Sequence, residues 1–210
     1  MYHRFGKRLL DLVLTTLGLI VLGPVLLVVA LLVRWKIGAP VFFRQLRLGK
    51  DSVPFAVIKF RTMTDARDAD GALLPDDQRI TRFGGFLRRT SLDELPELLN
   101  VLRGEMSLVG PRPLFVHYAD RYTPEQMRRH DVRPGLTGWA QVHGRNAIAW
   151  EQKFAYDVWY AAHQALLLDL TIICLTIRQV LRRSGINEAG HATMSEYMGV
   201  AHPPDEVIAV

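Results

Sequence analysis

The stretch Ser91-Leu92-Asp93-Glu94-Leu95-Pro96-Glu97-Leu98-Leu99-Asn100 carries two adjacent carboxylates, Asp93 and Glu94. Basic side chains crowd the chain on both sides of it: Lys59, Arg61, Arg82, Arg88, Arg89, Arg103 and Arg112. A carboxylate amid that much positive charge is expected to stay ionised, and the same cations suit phosphate groups. Ser91 is a strong N-cap residue, and Glu94 three positions on completes a capping box. Leu92, Leu95, Leu98, Leu99 and Leu102 recur at helical spacing, so a helix is predicted from Ser91. Pro96 kinks its first turn by removing the bond to the Leu92 carbonyl. Asp93 then lies beside unpaired N–H groups at the positive end of the helix dipole. From this stretch alone, an ordinary capped helix is the better account of both carboxylates.

Neighbouring side chains on a helix point about 100° apart. Asp93 and Glu94 are therefore badly placed to flank a glycosidic bond from opposite sides. They suit a division of labour, one acting as nucleophile or metal ligand and the other as a supporting base or binder. A carboxylate that attacks phosphorus gives an acyl phosphate, and a diphosphate substrate commonly needs magnesium to neutralise it. Arg112 stands between Pro111 and Pro113, which restrict its backbone and pre-position a guanidinium for bidentate phosphate binding. A turn with a solvated arginine is the ordinary alternative.

The elements that must hold these residues begin with an apolar run. No charged residue occurs from Leu12 to Val33, and a straight helix of that length is about 33 Å long, enough to cross a bilayer core. Arg34 and Lys36 follow where a cleaved signal peptide would need small residues, and the run lacks the polar stripe of a soluble core helix. Gly23-Pro24 interrupts it midway and predicts a helix-break-helix. Basic residues flank both ends: Arg4, Lys7 and Arg8 before, Arg34, Lys36, Arg44, Arg47 and Lys50 after. That pattern favours a re-entrant segment with both ends in the cytoplasm over a kinked span. Either arrangement leaves the remaining chain on the cytoplasmic side.

The 210 residues suit one domain, and 26 basic against 21 acidic residues give +5, which fits an anionic partner. Nucleic acid is not favoured, because there is no zinc pattern and no RNA-binding aromatic signature, and the basic residues are dispersed. The single cysteine, Cys174, reads as a small buried hydrophobe. The seven histidines show no metal-ligand spacing.

Val41–Gln45 and Val53–Phe60 flank Gly49-Lys50-Asp51-Ser52 and read as a short hairpin, with Lys59 and Arg61 emerging on one face. Asp65 to Asp77 is an exposed loop. Thr81 caps a short helix that ends at Arg88 and Arg89, and Thr123-Pro124 opens another. Arg133 to Val142 is turn-rich, then extended. Trp150 to His163 is helical, while Trp139, Trp150, Trp159 and Tyr160 divide between core and membrane interface. Leu166 to Leu181 is apolar but short for a span and contains Asp169 and Arg178, so it is expected to pack on the domain or lie in the interface. The fold class expected is mostly helical α+β. Residues 1–36 form the re-entrant hairpin, 37–185 a small cytoplasmic catalytic domain with interfacial amphipathic helices, and 186–210 a loop-like tail.

Taken in order, several stretches resemble one family. They are Lys7-Arg8 before the broken apolar hairpin, Lys59-Phe60-Arg61-Thr62-Met63, Ser91 to Leu98, Ser107 to Pro113, Arg133 to Val142 and Gly144-Arg145-Asn146. Together they look like the bacterial sugar transferases, more closely the small monotopic polyprenol-phosphate phosphoglycosyl transferases, over about residues 1 to 185. The resemblance implies a re-entrant membrane helix and transfer of a sugar 1-phosphate from a UDP-sugar to undecaprenyl phosphate, with release of UMP. It implies ping-pong chemistry in which Asp93 attacks phosphorus, Glu94 assists, and magnesium bridges Asp93 and the diphosphate. Lys59, Arg88 and Arg112 match basic positions for phosphate contacts, and Arg145 and Asn146 match as well. It further implies a place at the bacterial inner (cytoplasmic) membrane, at the first membrane step of glycoconjugate assembly, with downstream glycosyltransferases as partners. Long members carry four extra membrane helices in front, so this chain is expected to be a minimal form. The stretch Gly190-His191-Ala192-Thr193-Met194 resembles small members that act on acetamido sugars such as diacetylbacillosamine. A non-catalytic membrane-surface adaptor would explain the hairpin and charge without needing Asp93, and a lipid-phosphate hydrolase would use the same acyl phosphate with water as acceptor.

Overall fold

The computed structural model describes residues 2–144, 148–182 and 196–199. The chain is mostly helical, with one antiparallel hairpin. After a π-helical turn at Tyr2–Gly6, helix α1 runs from Lys7–Lys36. The hairpin follows, β1 (Phe42–Leu48) and β2 (Pro54–Phe60). Then come α2 (Asp76–Arg79), α3 (Arg82–Arg89), α4 (Glu97–Arg103), β3 (Ser107–Val109), α5 (Pro124–Met127), β4 (Gly135–Thr137), α6 (Trp139–Val142), α7 (Trp150–Ala162) and α8 (Leu166–Arg182).

Helix α1 is the one described helix long and apolar enough to cross a membrane. The expected break is absent, because the chain stays helical through Gly23 and Pro24. Proline costs a helix its own N–H bond, and a long apolar helix absorbs such a loss. The helix stops at Gly38, whose φ of 109° lets its N–H turn back to the Val33 carbonyl at 3.1 Å.

Both ends of α1 pack on the same body. At the first end Lys7, Asp11 and Thr15 are buried, and at the second Val29 and Val33. Lys7 Nζ meets Asp169 of α8 at 2.7 Å, and the Tyr2 hydroxyl donates to the same carboxylate. Arg8 donates to the carbonyls of Val101 and Leu102 at 2.6 and 2.7 Å, closing the end of α4. Asp11 accepts from the Ser107 hydroxyl and the Leu108 N–H. Val29 and Val33 join Phe60 and Leu87 in an apolar cluster. Between the ends, Leu17, Ile20, Val21, Leu27 and Val28 are exposed.

The hairpin pairs Phe42 with Phe60 through to Leu48 with Pro54, and its turn uses left-handed Asp51 and Ser52. A second pairing, unforeseen from sequence, sets β3 parallel to β4, Ser107 opposite Gly135 and Val109 opposite Thr137. The backbones touch because Gly110 and Gly135 have no side chain: a Cβ on Gly135 would lie 2.0 Å from the Gly110 nitrogen. The segment expected to run extended after Gly138 instead forms α6. Another core joins Val109, Tyr160 and Ile172. A further one gathers Tyr118, Phe154 and Tyr197, so the described part of the tail docks on the body.

Trp159 is partly exposed while Tyr160 is fully buried, the division expected of the aromatic residues. Cys174 is exposed on α8, not buried. It shares that outer face with Leu167, Leu170 and Ile177, leaving an unpartnered apolar stripe on the helix.

Candidate active site

Ser91 is not a cap. It sits in the left-handed region at φ 55°, and its side chain caps nothing. Leu92–Glu94 form a single 3-10 turn, and α4 begins only at Glu97, after Pro96. Proline brings no N–H, so regular α-helical bonding starts beyond it. Leu95 N–H bonds the Leu92 carbonyl at 3.4 Å, and Leu99 N–H bonds that of Pro96 at 3.0 Å. Asp93 and Glu94 therefore precede α4 on a turn held by a strained residue, a common device at reactive sites.

Glu94 is the hub. Its Oε1 accepts from Lys59 Nζ at 2.7 Å and from Arg112 at 2.6 Å. Lys59 also reaches Glu97 Oε1 at 3.1 Å. Burial raises Glu94, but Arg112 and Lys59 outweigh it and hold the carboxyl well below the usual range. Burial, with Glu94 adding its charge, pushes Glu97 up to about 7 against the pull of Lys59. Lys59 loses by burial and gains more from the two glutamates, so it stays firmly charged.

Asp93 is different. It is 8% exposed, and among the described residues its carboxylate accepts no hydrogen bond. Burial and Glu94 lift it above the ordinary carboxylate value, with Lys59, Arg88 and Arg112 pulling the other way. The surrounding cations do not outweigh burial here, because Lys59 and Arg112 are committed to Glu94 and desolvation is the larger effect. The outcome is a reactive-type group, buried and uncommitted.

Lys59, Arg88 and Arg112 converge on Asp93 electrostatically. Arg88 itself bonds the Thr62 hydroxyl at 3.1 Å. Arg61 departs from the expectation, turning away to the carbonyls of Ala39 and Met63 and to Asp65. Arg103 lies at the far end of α4. Arg145 and Asn146 fall outside the described residues.

Three supports were not read from sequence. Arg129 pairs with Asp157 at 2.7 Å and donates to the Arg112 carbonyl at 2.7 Å, bracing the loop between Pro111 and Pro113. Asn100, fully buried, donates to the Ala56 carbonyl at 2.8 Å and accepts from Ile58 N–H at 3.1 Å. It thereby ties α4 to the strand that carries Lys59. Glu97 lies three residues after Glu94, a spacing that signalled a shared partner.

The donor set fits a magnesium ion held mainly by substrate. Magnesium commonly takes one or two carboxylates plus phosphate oxygens and water. Asp93 has uncommitted oxygens, and among the described residues no group of three or more His, Cys, Asp or Glu forms a protein cage.

The profile of bacterial sugar transferases matches residues 2–183. The chain belongs to the bacterial sugar transferase family. Among its relatives is a Bacillus subtilis protein named as an uncharacterized sugar transferase, EpsL, 52% identical over 92% of this chain and 96% of its own length. A Klebsiella pneumoniae UDP-glucose:undecaprenyl-phosphate glucose-1-phosphate transferase is 43% identical over 81% of this chain. An Aeromonas hydrophila UDP-N-acetylgalactosamine-undecaprenyl-phosphate N-acetylgalactosaminephosphotransferase is 40% identical over 87%. This sugar transferase chain spans only 39% and 45% of those two proteins.

Proposed function

We propose that this chain transfers a sugar 1-phosphate from a UDP-sugar to undecaprenyl phosphate through a covalent intermediate on Asp93. The observation that carries the reading is the Asp93 carboxylate, buried with no hydrogen bond from any described residue and facing the charge of Lys59, Arg88 and Arg112. One Asp93 oxygen attacks the sugar-bearing phosphorus. The bond from that phosphorus to the bridging oxygen breaks, and UMP leaves with the electron pair. An oxygen of the lipid phosphate then attacks the acyl phosphate, releasing Asp93 and forming the lipid diphosphate sugar.

Glu94 is too acidic in this setting to take a proton near neutral pH. Its work is to hold Lys59 and Arg112 beside the phosphates. Asp93 would supply the protein ligand to magnesium, which offsets the charge of the diphosphate when bound. The relatives named for UDP-sugar and undecaprenyl-phosphate chemistry support the reaction class.

The re-entrant arrangement is part of the same proposal. Lys7 and Val33, near opposite ends of α1, are buried against one body, and a segment with both ends on one body cannot have them on opposite sides of a bilayer. The exposed middle of α1 then faces the lipid, and the body faces the cytoplasm at the inner membrane.

The test uses wild type and Asp93→Asn with radiolabelled UDP-sugars, magnesium and undecaprenyl phosphate. Label is expected to enter lipid with wild type only, and the preferred donor names the sugar. Equal transfer by both proteins would remove Asp93 as nucleophile. UMP release that ignores the lipid acceptor would replace transfer with hydrolysis.

A further inference from the structure

Lys59 and Arg112 share a single carboxylate oxygen of Glu94, so part of their charge is answered before any substrate arrives. A further guanidinium lies in the same electrostatic field. Arg47, on β1, shares the hairpin face of Lys59, because Phe43 pairs with Lys59, Gln45 with Val57 and Arg47 with Phe55, and the charges of Arg112, Glu97 and Glu94 reach it. Among the described residues it has no carboxylate within ion-pair distance.

Its position is fixed from both sides. Arg47 pairs with Phe55 across the hairpin and bridges to Phe115 on the other edge, and the next residue, Leu48, donates to the Leu114 carbonyl at 3.0 Å. The guanidinium carbon lies 3.6 Å from the centre of the Phe115 ring, and that ring is stacked in turn on His117 with centroids 5.1 Å apart. Gln45 Oε1 takes one N–H at 2.6 Å. Stacking occupies the flat face of a guanidinium and leaves N–H groups along its edge. An arginine held this way has already lost most of the side-chain freedom that ligand binding would cost.

We propose that Arg47 is a phosphate-binding residue of this site, presenting its guanidinium edge to the diphosphate of the nucleotide donor. The choice of donor as phosphate source rests on the proposed transfer reaction; phosphate binding itself does not. Burial and the charge of Arg112 bring Arg47 down to about 10, a cost that a bound anion would offset.

The experiment is titration calorimetry on the full chain in detergent micelles, with UDP, inorganic pyrophosphate and farnesyl phosphate as separate probes. Arg47→Gln is expected to weaken UDP and pyrophosphate about tenfold or more, the loss typical of a charge-assisted bond. Arg47→Lys should recover only part, because an ammonium cannot make the paired contact. Phe115→Leu, which keeps the arginine and removes its platform, should fall between. If farnesyl phosphate weakens and the two diphosphates do not, phosphate binding stands and the source is the acceptor.

The proposal is overturned if Arg47→Gln binds every probe within about twofold of wild type, since Arg47 would then be only a packing residue. It is equally overturned if wild type binds none of them. Wild type that binds UDP yet transfers no sugar phosphate from any donor would refute the proposed reaction, and the calorimetric comparison would still judge Arg47.

Discussion

Glu97 is a third acid in a site that needs two, and its setting has a measurable cost. Its carboxyl titrates near 7 in the fold against an ordinary 4.5. Between those values the folded chain keeps a proton that the unfolded chain has released, so stability falls as pH rises through that window. Glu97→Gln removes the titration while keeping the shape. Its melting temperature is expected to fall less than that of wild type between pH 5 and about 7.5, with the two nearly parallel below that window. Scanning calorimetry at several pH values checks this. Arg129 and Asp157 make the opposite case, a buried pair whose value shows when one partner goes. Asp157→Ala leaves Arg129 buried without its counter-charge, and about 3–5 kcal/mol should be lost in denaturant unfolding. Because Arg129 also holds the Arg112 carbonyl, transfer activity should fall even under conditions where the variant is folded.

Among the elements, the hairpin, the Thr81 cap, the helix opening at Thr123-Pro124 and the helices α7 and α8 could be read from the sequence, because local spacing and turn chemistry determine them. Thr81 Oγ1 does accept from Gly84 N–H at 2.9 Å, and Thr123 and Gln126 make the reciprocal pair. The cap at Ser91 was misread because local preference there gives way to Pro96 and to Glu94 being taken by Lys59 and Arg112. The β3–β4 pairing was invisible because each partner is three residues long and its match lies far off in the chain. Within the site, Asp93, Glu94, Lys59, Arg88 and Arg112 stood out by type and order. Asn100 and Arg129 did not, since their roles consist of contacts to distant backbone. One tight contact offers a test at this scale. A Cβ on Gly84 would lie 1.9 Å from the Thr62 carbonyl oxygen, so Gly84→Ala must push α3 away from the chain after β2. The Arg88–Thr62 bond should break, and activity should drop by more than a neighbouring change such as Gly85→Ala causes, a comparison that label transfer can read.

For the molecule as a whole, α1 is as much a part of the catalytic body as an anchor to the membrane. Lys7, Arg8 and Asp11, charges that a hydropathy reading treats as flanking signals, are spent on Asp169, the end of α4 and the start of β3. Topology can be tested directly. In a Cys174→Ser background, Phe5→Cys and Asp51→Cys are expected to react with an impermeant maleimide from the same face of sealed inverted vesicles. Reaction from opposite faces would establish a span. The docking of α1 also has a consequence for the order of synthesis. Lys7 waits for a partner made 162 residues later, about ten to thirty seconds at ordinary ribosome speeds. Arg8 and Asp11 meet their partners earlier, at residues 101–108, and Lys7 waits longest, so early insertion and late docking must be separate events. A nascent chain stalled before α8 should hold its apolar segment in lipid while its first turn stays open to protease.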